Sequence, residues 1–548
     1  MATISEGPMA GSRGEACCTA RITIVHTVTD RLLVGFGSLL ATLFASPSRH
    51  LNPTSFDMSH PFVKSVLLSL LGWLAPGGLV SGQAIEPLVR VVDLDIDESA
   101  AVTLHDGVVA NVRLLALDED RDRVRQAVRS ARVRLDVNGA IVELESGMYN
   151  LPVTVGGVQV DCSITSGYNS NGTPEFWGLK KQARLRLWPA GSALTRPGTF
   201  RYPVDQRWFA SATWFDNEPI DGGARILPKI YYHSGLDIGG AEGMVNVSAA
   251  TDALVVSVGL DVHPDHREGT PVKPRYDVVY LLDGRGWYYR YSHLQRIDES
   301  LAVGRVIPIG HPIGVLGKEG ASGGWSHLHF EIVARQPSGE WGTQAGDALI
   351  REAYLREHRP RLIACSRPRH FLVAGESAEL DGSRSWSATG EELRYEWRFT
   401  DGGSAVGEKV RRSYPRPGRY SEILKVTDAA GNIDYDFAIV QVLNPETPDL
   451  YSPSLHAAYA PTLGLTAGQE VTFKVRGFNV QGGEERWDFG DGSPAVTTRS
   501  DGNVVALNPD GYAITTHRYA TPGDYLVRIE RTGANGLTAT EHLHVIVE

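Results

Sequence analysis

His233-Ser234-Gly235-Leu236-Asp237, Tyr291-Ser292-His293-Leu294 and His327-Leu328-His329-Phe330-Glu331 stand in that order within residues 233–331. Their spacing reads as β-strand, on which side chains two or four apart share one face. His327 and His329 therefore offer two imidazoles to one side, while Leu328 turns to the other. Asp237-Ile238-Gly239 reads as a strand start, and an extended chain lets His233 and Asp237 converge. Imidazole nitrogen and carboxylate oxygen suit zinc, which takes them in tetrahedral geometry at ~2.0–2.2 Å. Three protein ligands leave a fourth position for water, and an open position marks a catalytic centre. Two neutral imidazoles and one carboxylate leave that centre net positive, which acidifies bound water.

A His-x-His pair alone is weak evidence, and the chain supplies a control. His542-Leu543-His544 has the same spacing but no Asp motif and no Tyr-x-His-Leu. It reads as the edge of a last strand, since isolated short motifs often match by chance. His263, His266 and His311 also lack partners and read as surface or core residues.

Before the histidine stretch, Val92, Leu94 and Ile96 alternate with polar residues, as do Val133, Leu135 and Val137. Asn138-Gly139 then precedes a further run, Ile141 to Leu144. Asn-Gly between two such runs is a strong hairpin signal, because both residues accept positive φ. Ala183, Leu185 and Leu187 form another alternating run. The segment predicts a small antiparallel β domain over 85–200. Its arginine run, Arg121 to Arg134, is interleaved with Asp118, Glu119, Asp120 and Asp122 and reads as a solvated face.

Residues 1–84 read as a non-structural N-terminus. From Met58, Lys64 flanks an apolar core, Ser65 to Ala75, and Gly82-Gln83-Ala84 follows as a small-x-small cleavage site. This is the layout of a signal peptide over about 58–84. Pro76-Gly77-Gly78 ends the apolar run short of the ~20 residues a membrane span needs, so no stable span is expected in the mature chain. Cys17 and Cys18 fall in this segment. Cys162 and Cys365 remain, and in an oxidising compartment they could pair. None of the four forms Cys-x-x-Cys, so a thiolate metal site is not expected.

After the stretch, one pattern occurs twice. The first copy holds Tyr395-Glu396-Trp397-Arg398-Phe399, and the second holds Trp487-Asp488-Phe489-Gly490-Asp491-Gly492. Turn signals recur at short, regular spacing, which predicts β-sandwiches over 360–446 and 447–548. Proline-rich Asn444–Pro461 reads as the linker between them.

The chain has 548 residues, 42% hydrophobic and 21% charged, too long for one core and unlike disordered or multi-span proteins. A formal net charge of −11 argues against general nucleic-acid binding. Abundant glycine and proline fit a mainly β protein.

The three histidine motifs, with Val303-Gly304, Ile307-Pro308-Ile309-Gly310 and Ile313-Gly314-Val315-Leu316-Gly317 before the last, resemble the lysostaphin/LytM-type zinc metallopeptidases. The resemblance covers roughly residues 200–335. It implies an antiparallel β-sheet peptidase domain over 201–355 that cleaves peptidoglycan peptides. It also implies His233, Asp237 and His329 as ligands of one Zn2+ per chain, with His293 and His327 as the catalytic pair. In this chain Trp325-Ser326 precedes His327, where the family often has small residues. Tyr231 and Tyr232 stand directly before His233, whereas some members carry a tyrosine several residues earlier. Val262–Arg275 exceeds a tight turn and is expected to line the substrate groove. The two repeats resemble PKD domains, which are immunoglobulin-like sandwiches.

Together these readings predict a zinc metalloendopeptidase, secreted or in the periplasm or cell envelope, acting on peptidoglycan or another envelope polymer. The alternatives are an idle version of the same fold that binds the envelope, or a zinc peptidase for protein substrates.

Overall fold

The computed structural model describes residues 84–170, 176–220, 230–448 and 450–548. The expected signal segment, apart from Ala84, lies outside the described residues, as do Cys17 and Cys18. Among the described residues no helix is long and apolar enough to cross a membrane. The fold is mostly β.

The first region is two four-stranded antiparallel sheets packed face to face. One is ordered Arg90–Leu94, Ala183–Pro189, Val158–Thr165, Val153–Val155. The other is a meander from Ser99–Thr103 through Val109–Arg121 and Val128–Val137 to Ala140–Glu145. Leu114, Val133, Leu135, Leu185 and Leu187 fill the space between them. Asn138 and Gly139 take φ of 52° and 86° and turn the predicted hairpin.

The arginine run is only partly a solvated face. Arg121, Arg123, Arg132 and Arg134 are exposed. Arg129 instead pairs with Asp122 at 2.8 Å and lies 4.0 Å over the Phe371 ring of the third region. Alternation shows which side of a strand is polar, but not what polar neighbour will cover it.

The histidine stretch builds a nine-stranded sheet. Along its main path run Asp261–Val262, Ala253–Val258, Val279–Asp283, Tyr288–Ser292, His327–Arg335, Leu236–Gly239 and Thr213–Trp214. A smaller sheet, Asn246–Ser248, Pro312–Leu316 and Leu294–Ile297, packs across it. Leu328, Phe330, Leu236 and Tyr289 from the large sheet meet Val247, Ile313 and Leu316 from the small one. Burying such side chains gains roughly 1.5–3 kcal/mol each, which holds the histidine-bearing strand in register. The helix Asp347–His358 closes the same core with Leu349, Ile350 and Tyr354 and runs past 355, where the region was expected to end. Trp188 and Tyr149 of the first region join this core too, so the first region, besides its own interior, helps to close that of the second.

Two sandwiches follow, centred on Trp397 and Trp487, both fully buried. The expected linker is not all linker. Its second half, Ser454–Ala460, is a strand paired with Glu470–Phe478. Proline content marked the irregular part, but strand pairing claimed the rest.

Cys162 and Cys365 do not pair. Both are buried, in different cores, and burial pushes each thiol up to about 12.

A candidate metal centre

The register of two neighbouring strands assembles the site. Leu236–Gly239 runs antiparallel to His327–Arg335, with Asp237 opposite His329 and Ile238 opposite Leu328. Side chains of opposed residues share a face. Ile238 and Leu328 therefore enter the core, and Asp237 and His329 meet on the other side. His329 Nδ1 lies 2.8 Å from Asp237 Oδ1. His233 Nε2 lies 3.1 Å from the same oxygen. Gly235 gives the chain the sharp turn between these two ligand positions. Its φ is +82°, and a Cβ there would sit 2.7 Å from the Phe330 carbonyl oxygen.

Of the described residues, His233, Asp237 and His329 form the one group of donors with metal-holding geometry, all within 4.8 Å of one another. Tetrahedral bonds of about 2.1 Å separate donors by roughly 3.4 Å, so the three need only small movements to surround an ion. The donor set, two imidazoles and a carboxylate, also fits zinc. Buried His329 Nε2 makes no hydrogen bond and sits 3.7 Å from Glu331.

His293 and His327 stand beside this group, their rings 4.5 Å apart. His327 Nε2 is 3.4 Å from Asp237 Oδ2. His327 Nδ1 lies 3.1 Å from the Trp325 carbonyl, and His293 Nδ1 lies 2.6 Å from the Glu319 carbonyl. A carbonyl can only accept, so in both rings Nδ1 carries the proton and Nε2 is left with a lone pair. Arg275 Nη2, 3.2 Å from His293 Nδ1, then faces an N–H and makes no hydrogen bond there. All five residues are 2–8% exposed.

Charge follows from these contacts. Burial opposes a proton on His233, but Asp237, with Asp216 behind it, raises the imidazole to about 9. Burial likewise opposes the Asp237 carboxylate, yet His233, with a hydrogen bond from His329, holds it well below the usual range. A divalent cation between them would take the place of the His233 proton. Burial lowers both His327, strongly, and His293, the latter against the pull of Asp277. Both rings are therefore neutral, the state in which an imidazole can accept a proton.

Asp277 escaped the sequence reading. Its fully buried carboxylate accepts the His293 backbone N–H at 2.9 Å and pairs with Arg275. It thereby fixes His293, which has a φ of 68° that non-glycine residues seldom adopt. No spacing rule connects Asp277 to His293, and nothing in the sequence distinguishes it from other strand-end aspartates. Asp216 was missed for the same reason. It binds the Gly235 N–H at 2.5 Å, and burial beside Asp347 raises it to about 7.

His266 and His311 stay apart from the site. His266 bonds the Tyr288 hydroxyl and His311 the Ser300 hydroxyl. The loop expected to line the groove folds back instead. Val272 packs on Val256 and Tyr280, and Trp341 Nε1 donates to the Gly269 carbonyl. Only its end, Arg275, reaches the site. Tyr232 turns away and accepts the Val128 N–H at 2.8 Å. Burial and the nearby Asp237 charge raise Tyr231 to about 12.

The loop before His327 is held by the last sandwich. Arg476 donates to the Gly324 carbonyl at 2.5 Å, Asn503 to the Gly323 carbonyl at 3.1 Å, and the Ser326 N–H to Tyr512 Oη at 2.8 Å.

Three segments of the chain match known domain families. Residues 231–340 match the model of peptidase family M23. Residues 363–442 and 455–547 match PKD domain models. Among solved structures, the antimicrobial peptidase lysostaphin from Staphylococcus simulans aligns at 16% identity over 45% of this chain and 95% of its own, with a TM-score of 0.21. A peptidase M23 structure from Pseudomonas aeruginosa aligns at 14% identity over 45% of this chain and 89% of its own, with a TM-score of 0.17. The D0-D1 domain of intimin aligns at 16% identity over 34% and 97%, with a TM-score of 0.18. Overlaps this low add nothing to the family matches and the site geometry. The chain carries a peptidase family M23 domain, within which the five-residue site lies, followed by two PKD domains.

Proposed function

We propose that this peptidase is a secreted zinc metalloendopeptidase that hydrolyses peptide bonds in peptidoglycan cross-links. The observation that most supports this is the convergence of three donors within 4.8 Å beside two neutral imidazoles. His233, Asp237 and His329 would hold one zinc ion, which when bound polarises the scissile carbonyl and lowers the pKa of its water. His293 and His327 each anchor Nδ1–H on a main-chain carbonyl, which leaves Nε2 free to receive a proton. One of the pair takes the proton of the attacking water. Either can steady the developing oxyanion or return a proton to the leaving amine. Asp277 positions His293 through its backbone. Peptidoglycan as substrate is inferred from the M23 family, and export from the signal-like segment 58–84.

The test is zinc content measured together with release of new amines from purified peptidoglycan. One zinc per chain with chelator-reversible amine release is expected. Undiminished activity in His329→Ala and Asp237→Ala would remove the zinc assignment. A second reading, an idle envelope binder, draws support from the burial of all five residues. Retention on cell wall with no new amines would favour it.

A further inference from the structure

A cavity of about 340 Å³ lies where the first region, the peptidase domain and both PKD domains meet. It begins at the site itself. Trp214 lines it and is the register partner of Asp237. Opposed residues share a face, so the indole lies beside that carboxylate. Trp325 also lines the cavity and stacks on His327 with ring centres 3.8 Å apart. Arg369 and Arg419 of the first PKD domain and Phe478 of the second line it as well. All five are partly exposed.

The two arginines are short of acceptors. Arg369 donates to Glu218 at 3.3 Å, but its buried Nε has no hydrogen-bond partner. Arg419 is 3.9 Å from Glu541, and its Nε is likewise unpartnered. Burial pushes the Arg369 guanidinium down to about 10, against the pull of Glu218 and reinforced by Arg367 and Arg419. Glu218 also lines the cavity; an anion between the two arginines would add acceptors that Glu218 and Glu541 leave wanting, and a guanidinium fork matches a carboxylate's two oxygens.

A sugar is a poorer match. Sugar rings stack on open aromatic faces. One face of Trp214 is covered by the Arg369 guanidinium at 3.7 Å, and one face of Trp325 by His327.

We propose that this cavity binds a carboxylate-bearing peptide segment, held by Arg369 and Arg419 and walled by Trp214 and Trp325, so that the PKD domains form part of the peptidase's substrate cleft. The proposal deepens the peptidase reading and depends on it only for the role of the adjoining site.

Titration of the full chain, followed by tryptophan fluorescence, tests it with N-acetyl-Ala-Ala, its C-terminal amide and N-acetylglucosamine tetramer. The free acid is expected to bind at least about tenfold tighter than the amide, as charge-assisted bonds require. Arg369→Gln and Arg419→Gln are expected to abolish that preference. Equal affinity for acid and amide, no binding of either, or preference for the neutral sugar would overturn the proposal. The acid–amide comparison uses the unaltered chain, so a variant that fails to fold does not weaken it. Amine release from peptidoglycan on the same preparation reports separately on the peptidase reading. A chain that cuts the polymer yet binds acid and amide alike keeps its activity and loses this pocket.

Discussion

The chain holds two His-x-His pairs on buried strands, at 327/329 and at 542/544, and they do different things. In both, the middle leucine enters a core and the imidazoles share the opposite face. At 327/329 that face meets Asp237, around whose carboxylate nitrogens of His233, His327 and His329 gather. At 542/544 it meets the first PKD domain. His544 spends its two nitrogens on different acids, Asp434 at 3.0 Å and Asp524 at 2.8 Å. His542 stacks on Phe437 and bonds Ser421. Acids on opposite sides of one ring tie domains together. A metal needs lone pairs that converge on one point, and of the two pairs it is the first whose His329 joins such a group, with His233 and Asp237.

The largest expected effect breaks the first pair. Asp237→Ala or His329→Ala should lower zinc from one per chain to none and cut amine release by roughly 10³-fold or more, since the ion is worth several kcal/mol to the reaction. His542→Ala should leave zinc content unchanged by elemental analysis. If zinc follows the second pair, the comparison fails.

Next is His293→Ala. It should keep zinc and lose roughly 10²–10⁴-fold in kcat, the range for a missing general acid or base. Loss of zinc in this variant would make His293 a ligand.

A smaller effect concerns stability. His544→Ala leaves Asp434 and Asp524 without their shared partner, at a cost on the order of 2 kcal/mol. Thermal unfolding should show a lower midpoint while zinc binding persists.

The smallest effect is a pH slope. Burial, with Arg528 contributing, lowers His542 to about 4, whereas an unfolded histidine titrates near 6.5. Between these values the unfolded chain binds more protons. The contribution is therefore complete above about pH 6.5 and declines as pH falls towards 4, by at most about 1.4 kcal/mol per pH unit. His542→Gln should flatten denaturation midpoints over that window. An unchanged slope would mean that other groups carry it.

Local period brought His327 with His329, and His233 with Asp237, onto shared faces, while the full set of five, His293 included, came from the family resemblance of the three motifs. His-x-His on a strand needs no tertiary knowledge to put both rings on one face, and the hairpin at Asn138-Gly139 needs only two residues that accept positive φ. Asp277 was not legible, because it lies 16 positions from His293 and acts through a backbone N–H that any acceptor could bind. The folded-back loop at 262–275 was misjudged because its length was visible and its anchor, Trp341, was not.

From the sequence came the strand periods, the order of the histidine motifs, and the two repeats that carry Trp397 and Trp487. These depend on neighbours a few residues away, where side-chain direction follows from backbone geometry alone. The tertiary structure decided which residues stand opposite one another. It joined Asp237 to His329 rather than to another strand, turned His544 into an interdomain tie, and brought Arg369 over Trp214 beside the site. Those outcomes depend on register and packing between segments hundreds of residues apart, which no local period encodes.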